Sequence, residues 1–396
     1  LITGPKAFDI TPQFDIALKS PGIPPHLEPL RVAQKRGTRF ITNMQLFFEL
    51  VPHKQTIGVT GTKGKSTTTA LIHHVLSQHL SDVRLLGNIG LPPLTVLESA
   101  PITSQTYFVI EMSSYQLHEF PYSPHIAVLQ NIVPEHLTWH GSFEAYVDAK
   151  ANITRHQSNN DLFLYNSDGE FPTKIANQSQ AQKIGFGIRN GRCARQGQQL
   201  VFDDQILLSI DDVPLRGEFN LYNVMPALVI GKHFEMTTEQ IAAAVRTFQP
   251  LAHRLEYVTT INGVEYYDDS LATVPEATVA ALEGFRGRSI VLIAGGYDRG
   301  VDYTPLARGI LNANIRCLIL FPTTGNRIET AIHSLSHTKT PPIYHVDNMP
   351  DAVNLAARLS QSGDVVLMSP ASASFNLFRD YADRSQQYKA AIAALQ

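Results

Sequence analysis

Apolar and polar positions change their period several times along this chain, and each change marks an element. A short apolar run at 57–60 gives way to the turn Gly61-Thr62-Lys63-Gly64-Lys65-Ser66-Thr67, after which Ala70, Leu71, His74 and Val75 recur at helical spacing. The pattern then alternates: a helix over 67–80, strands at 107–111 and 126–129, and a helix over 143–154. Such alternation predicts a parallel sheet with helices on both faces. From 161 to 215 the elements shorten, with strands at 161–165, 182–186, 199–202 and 206–210 that read as an antiparallel extension. Helices over 223–233 and 238–247 follow, and at Gln249-Pro250-Leu251 the chain changes domain. Beyond that point strands at 255–260 and 264–268, a helix over 275–284 and an apolar strand at 289–294 ending in Gly295-Gly296 open a second doubly wound unit. Strands at 317–321 and 365–368 complete it. The front holds only strand-like pieces at 14–18 and 39–41 around the turn Ser20-Pro21-Gly22-Ile23-Pro24-Pro25, too little for a core. The expected division is therefore a remnant over 1–51, a central domain over 52–250 and a last domain over 251–396.

Composition narrows the function classes. A chain of 396 residues calls for two or three domains. With 43% hydrophobic residues and a formal charge of -3, it reads as a soluble globular protein, with neither nucleic acid nor a membrane surface implied. Two cysteines, Cys193 and Cys317, make no disulfide framework or cysteine metal cluster, which fits a reducing cytoplasm. No apolar run is long enough for a membrane span, and no secretory signal pattern opens the chain. The first residue is Leu1 rather than Met, so the start of the gene product is expected to lie outside this sequence.

The turn after the first strand suits a polyphosphate. Glycines admit backbone N–H groups to phosphate oxygens, the helix start adds partial positive charge, Lys65 adds a full one, and Ser66 is placed for magnesium. Val59 stands where strict phosphate-loop spacing has its first glycine, so the match is to the Gly-Lys-Ser half in its strand-turn-helix setting; the alternative is a surface turn with two lysines. Glu111 ends an apolar strand, where ligands gather in open parallel sheets, and would face the same metal; the alternative is a helix-start acid. By residue chemistry His136 reads as a metal ligand or a hydrogen-bonding core histidine, and Lys150 as an ordinary surface lysine. Arg254 suits a phosphate and Asp269 a ribose; without a ligand they are salt-bridge material.

In order along the chain, "SPGIP", "GVTGTKGKSTTT", "GNIGLP", "VIEMSSYQL", "NIVPEHLTWHGSFEAYVDAK", "GEFNLYN", "HRLEYV", "DDSLAT", "IAGGYDRGVDYTPL" and "LMSPASASFNLF" resemble the Mur ligase family. The resemblance spans nearly the whole chain, from Ser20 to Phe378. It implies a three-domain α/β architecture: an N-terminal UDP-binding domain, here incomplete, a central phosphate-loop ATPase, and a C-terminal Rossmann-like domain that closes over ATP and receives the amino acid. It implies a cytoplasmic, monomeric, ATP- and Mg2+-dependent ligase that joins D-glutamate to UDP-N-acetylmuramoyl-L-alanine through an acyl phosphate. By that analogy the 61–67 loop and Lys65 hold the phosphates, while Ser66, Glu111, His136 and a carbamylated Lys150 hold magnesium. Asn223 meets adenine, Asp269 ribose and Arg254 a phosphate. Ser20, Asn88, Ser114 and Gln116 fall on the muramoyl nucleotide, and Thr273, Arg299, Ser374 and Tyr381 on the amino acid.

Several positions depart from the family pattern. Leu271 and Val274 replace a lysine and an asparagine, Arg299 a lysine, Tyr381 a phenylalanine and Glu135 an aspartate. Arginine grips a carboxylate through two N–H groups, so an acidic substrate is retained. Three other readings stand beside the first: the same chemistry with L-glutamate, a catalytically silent nucleotide-binding relative, and a simple phosphate-loop kinase.

Overall fold

The computed structural model describes residues 14–23, 27–215, 217–335, 340–375 and 377–395. Pro24 and Pro25 of the expected turn, and Asn376 of the last motif, lie outside the described residues. Contacts divide the chain into two compact units, one running to Pro214 and resuming over Asn220–Phe248, the other made of Leu215–Phe219 and Gln249–Gln396. Among the described residues no helix is long and apolar enough to cross a membrane.

In the first unit, β1 (Ile16–Leu18) and β2 (Arg39–Ile41) form a two-stranded parallel sheet. The helix Asn43–Leu50 follows, started by a capping box in which Thr42 and Gln45 satisfy each other's backbone N–H. It buries Met44 and Phe47, and the Phe47 ring meets Phe108 edge-on at 5.1 Å. Residues before 52 thus contribute to the main core as well as forming their own small sheet.

The large sheet contains β3 (Thr56–Thr60), β4 (Asp82–Gly87), β5 (Thr106–Glu111), β6 (Ile126–Leu129), β7 (Leu162–Asn166), β8 (Gln182–Gly187), β9 (Cys193–Gln196), β10 (Gln199–Phe202) and β11 (Gln205–Ser209). Their order is β11-β10-β9-β8-β7-β6-β3-β5-β4. The sequence pattern missed β4, an edge strand whose half-buried positions, Arg84 among them, show no clean apolar run. It also placed the antiparallel extension too early. β7 and β8 are parallel because the helix Glu170–Gln178 carries the chain back between them, and antiparallel pairing starts only where β10 meets β9. The chain leaves β3 for β4 and β5 on one side, then crosses to β6 on the other. β3 is therefore the point of reversal, where an open sheet leaves a crevice beyond its strand ends.

The second unit holds β12 (Glu256–Ile261), β13 (Val264–Asp268), β14 (Ile290–Gly295), β15 (Ile315–Phe321), β16 (Ile343–His345) and β17 (Val365–Met368), in the order β12-β13-β17-β14-β15-β16. β12 and β13 form a hairpin across Asn262-Gly263, both at positive φ (51° and 77°), the turn an Asn-Gly pair favours. The other pairings are parallel, and helices bury apolar clusters on both faces.

Candidate active site

The loop after β3 is shaped by two close approaches. Gly61 has φ 151°, and a Cβ there would lie 2.5 Å from the Cβ of Gln130; Gly64 has φ 83°, and a Cβ there would lie 2.3 Å from Asn223 Oδ1. Both positions exclude side chains, so the backbone of the turn can be approached closely by a ligand. The helix Lys65–Ser77 starts directly from Gly64 with no side-chain cap, and its start carries the partial positive charge of the peptide dipoles. Lys65 Nζ donates to Thr62 O at 2.9 Å. Thr62 is anchored by Tyr146 Oη at 2.9 Å and by the Val133 N–H at 3.0 Å, so the loop is tied to the chain beyond β6.

Lys150 overturns its surface reading. Ser142 caps the helix Phe143–Arg155, whose core-facing stripe is Tyr146, Ala149, Lys150 and Ile153. Lys150 is 1% exposed, donates to Gly61 O at 2.6 Å, and holds its ammonium 4.8 Å from the centre of the Tyr146 ring. Burial first, and the nearby Lys65 cation second, push its pKa well below the usual lysine range.

Glu111 ends β5 in the core at 1% exposure. Its Oε1 accepts from Asn88 Nδ2 at 3.1 Å, while Oε2 is buried without a hydrogen-bond partner. Unpartnered buried carboxylate oxygens are rare because they keep their full desolvation cost. His136 takes a left-handed conformation (φ 56°), packs its ring at a 40° tilt to Tyr115 with centroids 4.9 Å apart, and has its Nε2 3.8 Å from Glu135 Oε2. Burial works against the charge of Glu135, yet Lys63, 2.6 Å from its Oε1, holds the carboxyl below the usual range. Burial also lowers the His136 imidazole, against the pull of Glu135.

A cavity of about 110 Å³ brings several of these groups together, with Glu111 and Lys63 outside its lining. Lys65, Glu135, His136, Lys150, Asn88 and Ser114 line it, together with Ser113, Tyr115 and Tyr146. Tyr146 was missed by sequence reasoning, although it sits one turn before Lys150 on the same stripe. Gln116 lies outside the cavity lining and closes the capping box of the short helix beside it, its Oε1 accepting from Ser113 N at 2.8 Å. Ser20 is exposed and its carbonyl accepts from Ile23 N. Asn223 sits behind Gly64, with its Oδ1 accepting from Thr68 at 3.2 Å and its Nδ2 donating to Asn220 at 2.6 Å. Gln130, also missed, is buried and bridges Thr68 Oγ1 and Tyr222 O, both at 2.8 Å.

In the second unit Arg254 and Asp269 form no ion pair, unlike the salt-bridge alternative. Arg254 Nε is buried without a partner, while Asp269 accepts from Leu255 N at 3.2 Å and Ser369 Oγ at 2.7 Å. Burial pushes the Asp269 carboxyl up to about 7, against the neighbouring hydrogen bonds and Arg254. The unfolded chain releases this proton near about pH 4, so between about 4 and about 7 the folded form binds more protons and stability falls as pH rises. Thermal unfolding across that window is expected to move in favour of Asp269→Asn over the parent as pH rises. A difference that does not change with pH would rule out the raised pKa.

Of the amino-acid candidates, Thr273, Arg299 and Ser374 lie in loops beyond the carboxyl ends of β13, β14 and β17, and Tyr381 opens the helix Tyr381–Ala393. Arg299 is exposed, with its guanidinium 5.7 Å from the Phe375 ring centre. Ser374 is buried, Thr273 half-buried and Tyr381 exposed. Fully buried Arg384, unnoticed in the sequence, joins two of these loops by donating to Ser270 O at 2.8 Å and Ser372 O at 3.0 Å. Its signal was a helical face it shares with Ser385, Tyr388 and Ile392.

Comparison with known proteins bears on the same regions. The family described as "Mur ligase middle domain" matches residues 59–231, and "Mur ligase, glutamate ligase domain" matches 253–372. The UDP-N-acetylmuramoylalanine–D-glutamate ligase of Listeria innocua is 35% identical over 388 residues, covering 96% of this chain and 83% of that protein. The protein of the same name from Acetivibrio thermocellus is 33% identical over 395 residues, covering 97% and 83%. Among solved structures, the UDP-N-acetylmuramate-alanine ligase MurC of Thermotoga maritima aligns with a TM-score of 0.65 at 19% identity, covering 96% of this chain and 86% of that one. The MurF ligase of Thermotoga maritima, in complex with ADP, also aligns at 0.65, with 17% identity and coverage of 96% and 95%. At these identities the structural likeness speaks for the fold.

Proposed function

The chain belongs to the Mur ligase family, and from that premise we propose that it joins D-glutamate to UDP-N-acetylmuramoyl-L-alanine with ATP, in peptidoglycan precursor synthesis. The observation that carries the site assignment is the cavity itself, where the phosphate-loop lysine Lys65, the buried Lys150, the loop carrying Glu135 and His136, and the polar loop residues Asn88, Ser113 and Ser114 converge. A carboxylate is a poor acylating agent because its leaving group would be oxide. The alanyl carboxylate therefore attacks the γ-phosphorus of ATP, the bond to ADP breaks, and an acyl phosphate forms. The glutamate amine then attacks the acyl carbon, gives up a proton, and phosphate leaves.

Within this scheme Lys65 and the 61–67 backbone hold the phosphates and offset the charge on the transferring phosphoryl group. The donor set suits Mg2+: the spare Oε2 of Glu111 wants a cation, and Ser66 and His136 complete a hard, largely oxygen set. Mg2+, when bound, neutralises phosphate charge. Burial and the Lys65 cation disfavour the ammonium of Lys150 and so favour the amine form, which would add to carbon dioxide, forming an N–C bond and releasing a proton to solvent. The resulting carbamate would supply a further anionic oxygen. Asn223 has its amide engaged by Thr68 and Asn220, which favours holding the loop in shape over a direct reach to adenine. Arg254 and Asp269 serve the nucleotide, and Arg299 the incoming carboxylate. ATP and a UDP-linked precursor as substrates place the reaction in the cytoplasm, and we expect a monomer.

Phosphate release from ATP with UDP-N-acetylmuramoyl-L-alanine tests the reading. It is expected with D-glutamate and absent with L-glutamate or no amino acid. Release with L-glutamate alone would show that Leu271 and Arg299 rebuild the pocket, and release independent of any amino acid would overturn the ligase assignment.

A further inference from the structure

His53, His125 and Asp161 stand one to three residues before β3, β6 and β7, three adjacent parallel strands. They lie at the amino ends of these strands, opposite the end that carries the phosphate loop. Asp161 Oδ1 is 2.6 Å from His53 Nε2 and 2.7 Å from His125 Nδ1. Its Oδ2 accepts from the Ser158 N–H at 2.7 Å and the Ser158 hydroxyl at 2.9 Å, which fixes the carboxylate plane and turns Oδ1 to the imidazoles. Asp161 is buried, and among the described residues no lysine or arginine pairs with it.

A second histidine and carboxylate group, His253, Glu256 and Asp268, shows the contrast. There Lys389 Nζ lies 2.7 Å from Glu256 and 3.8 Å from Asp268, so a built-in cation already balances the acids. The His53 group has one buried anion, two imidazoles with donor atoms within 4.8 Å of one another, and no such cation.

We propose that His53, His125 and Asp161 bind a divalent cation of the zinc class, at a site separate from the nucleotide, and so clasp the entry points of three core strands. Two imidazole nitrogens and one carboxylate oxygen are a zinc ligand set with a fourth place for water, whereas magnesium prefers oxygen alone. Ser158 is the orienting partner that such carboxylates have. Bonds of about 2.0–2.2 Å set neighbouring ligand atoms roughly 3.3 Å apart, so both short N···O contacts open by about 0.6 Å on binding. His53 has the freedom to move, with 48% of its side chain exposed. With the metal on the nitrogens that faced Oδ1, each ring keeps one proton on its opposite nitrogen and any second ring proton passes to solvent.

The test uses the full chain, stripped with chelator and titrated with Zn2+ and with Co2+ as an optical reporter. The parent is expected to hold one more ion per chain than His53→Ala, to show visible Co2+ absorption that the variant lacks, and to gain in thermal midpoint with Zn2+ where the variant does not. Excess Mg2+ is expected to leave that ion in place. Since other histidines can also take up Zn2+, the difference between parent and variant is the readout. His125→Gln is the second variant, and it should lose the same ion. Equal ion counts and equal thermal responses in parent and both variants would overturn the site.

Discussion

Lys150→Ala is expected to lower amino-acid-dependent phosphate release by about 10²–10³-fold, the loss seen when one preorganised electrostatic group is taken from an active site. Short carboxylates such as acetate or formate, added in excess, should restore part of it. The expectation rests on position. Lys150 is wholly buried, it touches the base of the phosphate loop through Gly61 O, and burial together with Lys65 disfavours its ammonium form. A plain structural lysine in such a place would be a liability, because a buried cation without a carboxylate partner is costly. A carbamate on this lysine, as proposed, would turn that liability into an anion at the cavity. The alanine variant leaves space there, and a small carboxylate can occupy it with the same charge. Rescue separates this role from a folding defect, since no small anion would mend a collapsed helix. Activity unaffected by the substitution would remove Lys150 from the reaction.

Glu111→Gln should divide function from stability. The glutamine keeps the shape of the side chain and the acceptor that Asn88 uses, but loses the anion. Turnover is expected to fall by about 10²-fold or more at fixed Mg2+, with a higher Mg2+ concentration needed for half-maximal rate. Thermal stability is expected to stay level or rise, because the parent carries a buried carboxylate oxygen with no partner. A variant that keeps full turnover but unfolds more easily would make Glu111 a structural acid. Thermal scans and steady-state rates on the same preparations distinguish the two outcomes.

Much of this site could be read before any coordinates. The glycine turn at 61–67 and the strand-end carboxylate Glu111 each depend on a few neighbouring residues, and their physics is local. The sequence reading expects a domain change at Gln249-Pro250-Leu251; contacts divide the chain between Phe248 and Gln249 and also assign Leu215–Phe219 to the second unit. Edge strand β4 escaped because an edge strand buries little on either side, so its sequence carries no strong pattern. The parallel start of the 161–215 region escaped because strand direction depends on how the intervening helix returns the chain.

What the sequence by itself determined was the family, the chemistry available at each loop, and the alternation that makes a parallel sheet place those loops at one end. Tertiary structure alone decided the state of the groups. Lys150 reads as a surface lysine in the sequence, and its lowered pKa comes from burial among distant residues and from the Lys65 cation that the fold brings near. The spare oxygen of Glu111, the buried span of Arg384 between Ser270 and Ser372, and the meeting of His53, His125 and Asp161 are of the same kind. The reason is physical. Backbone conformation answers to near neighbours, whereas desolvation and charge pairing depend on whatever the fold brings within a few ångströms, however distant in the chain.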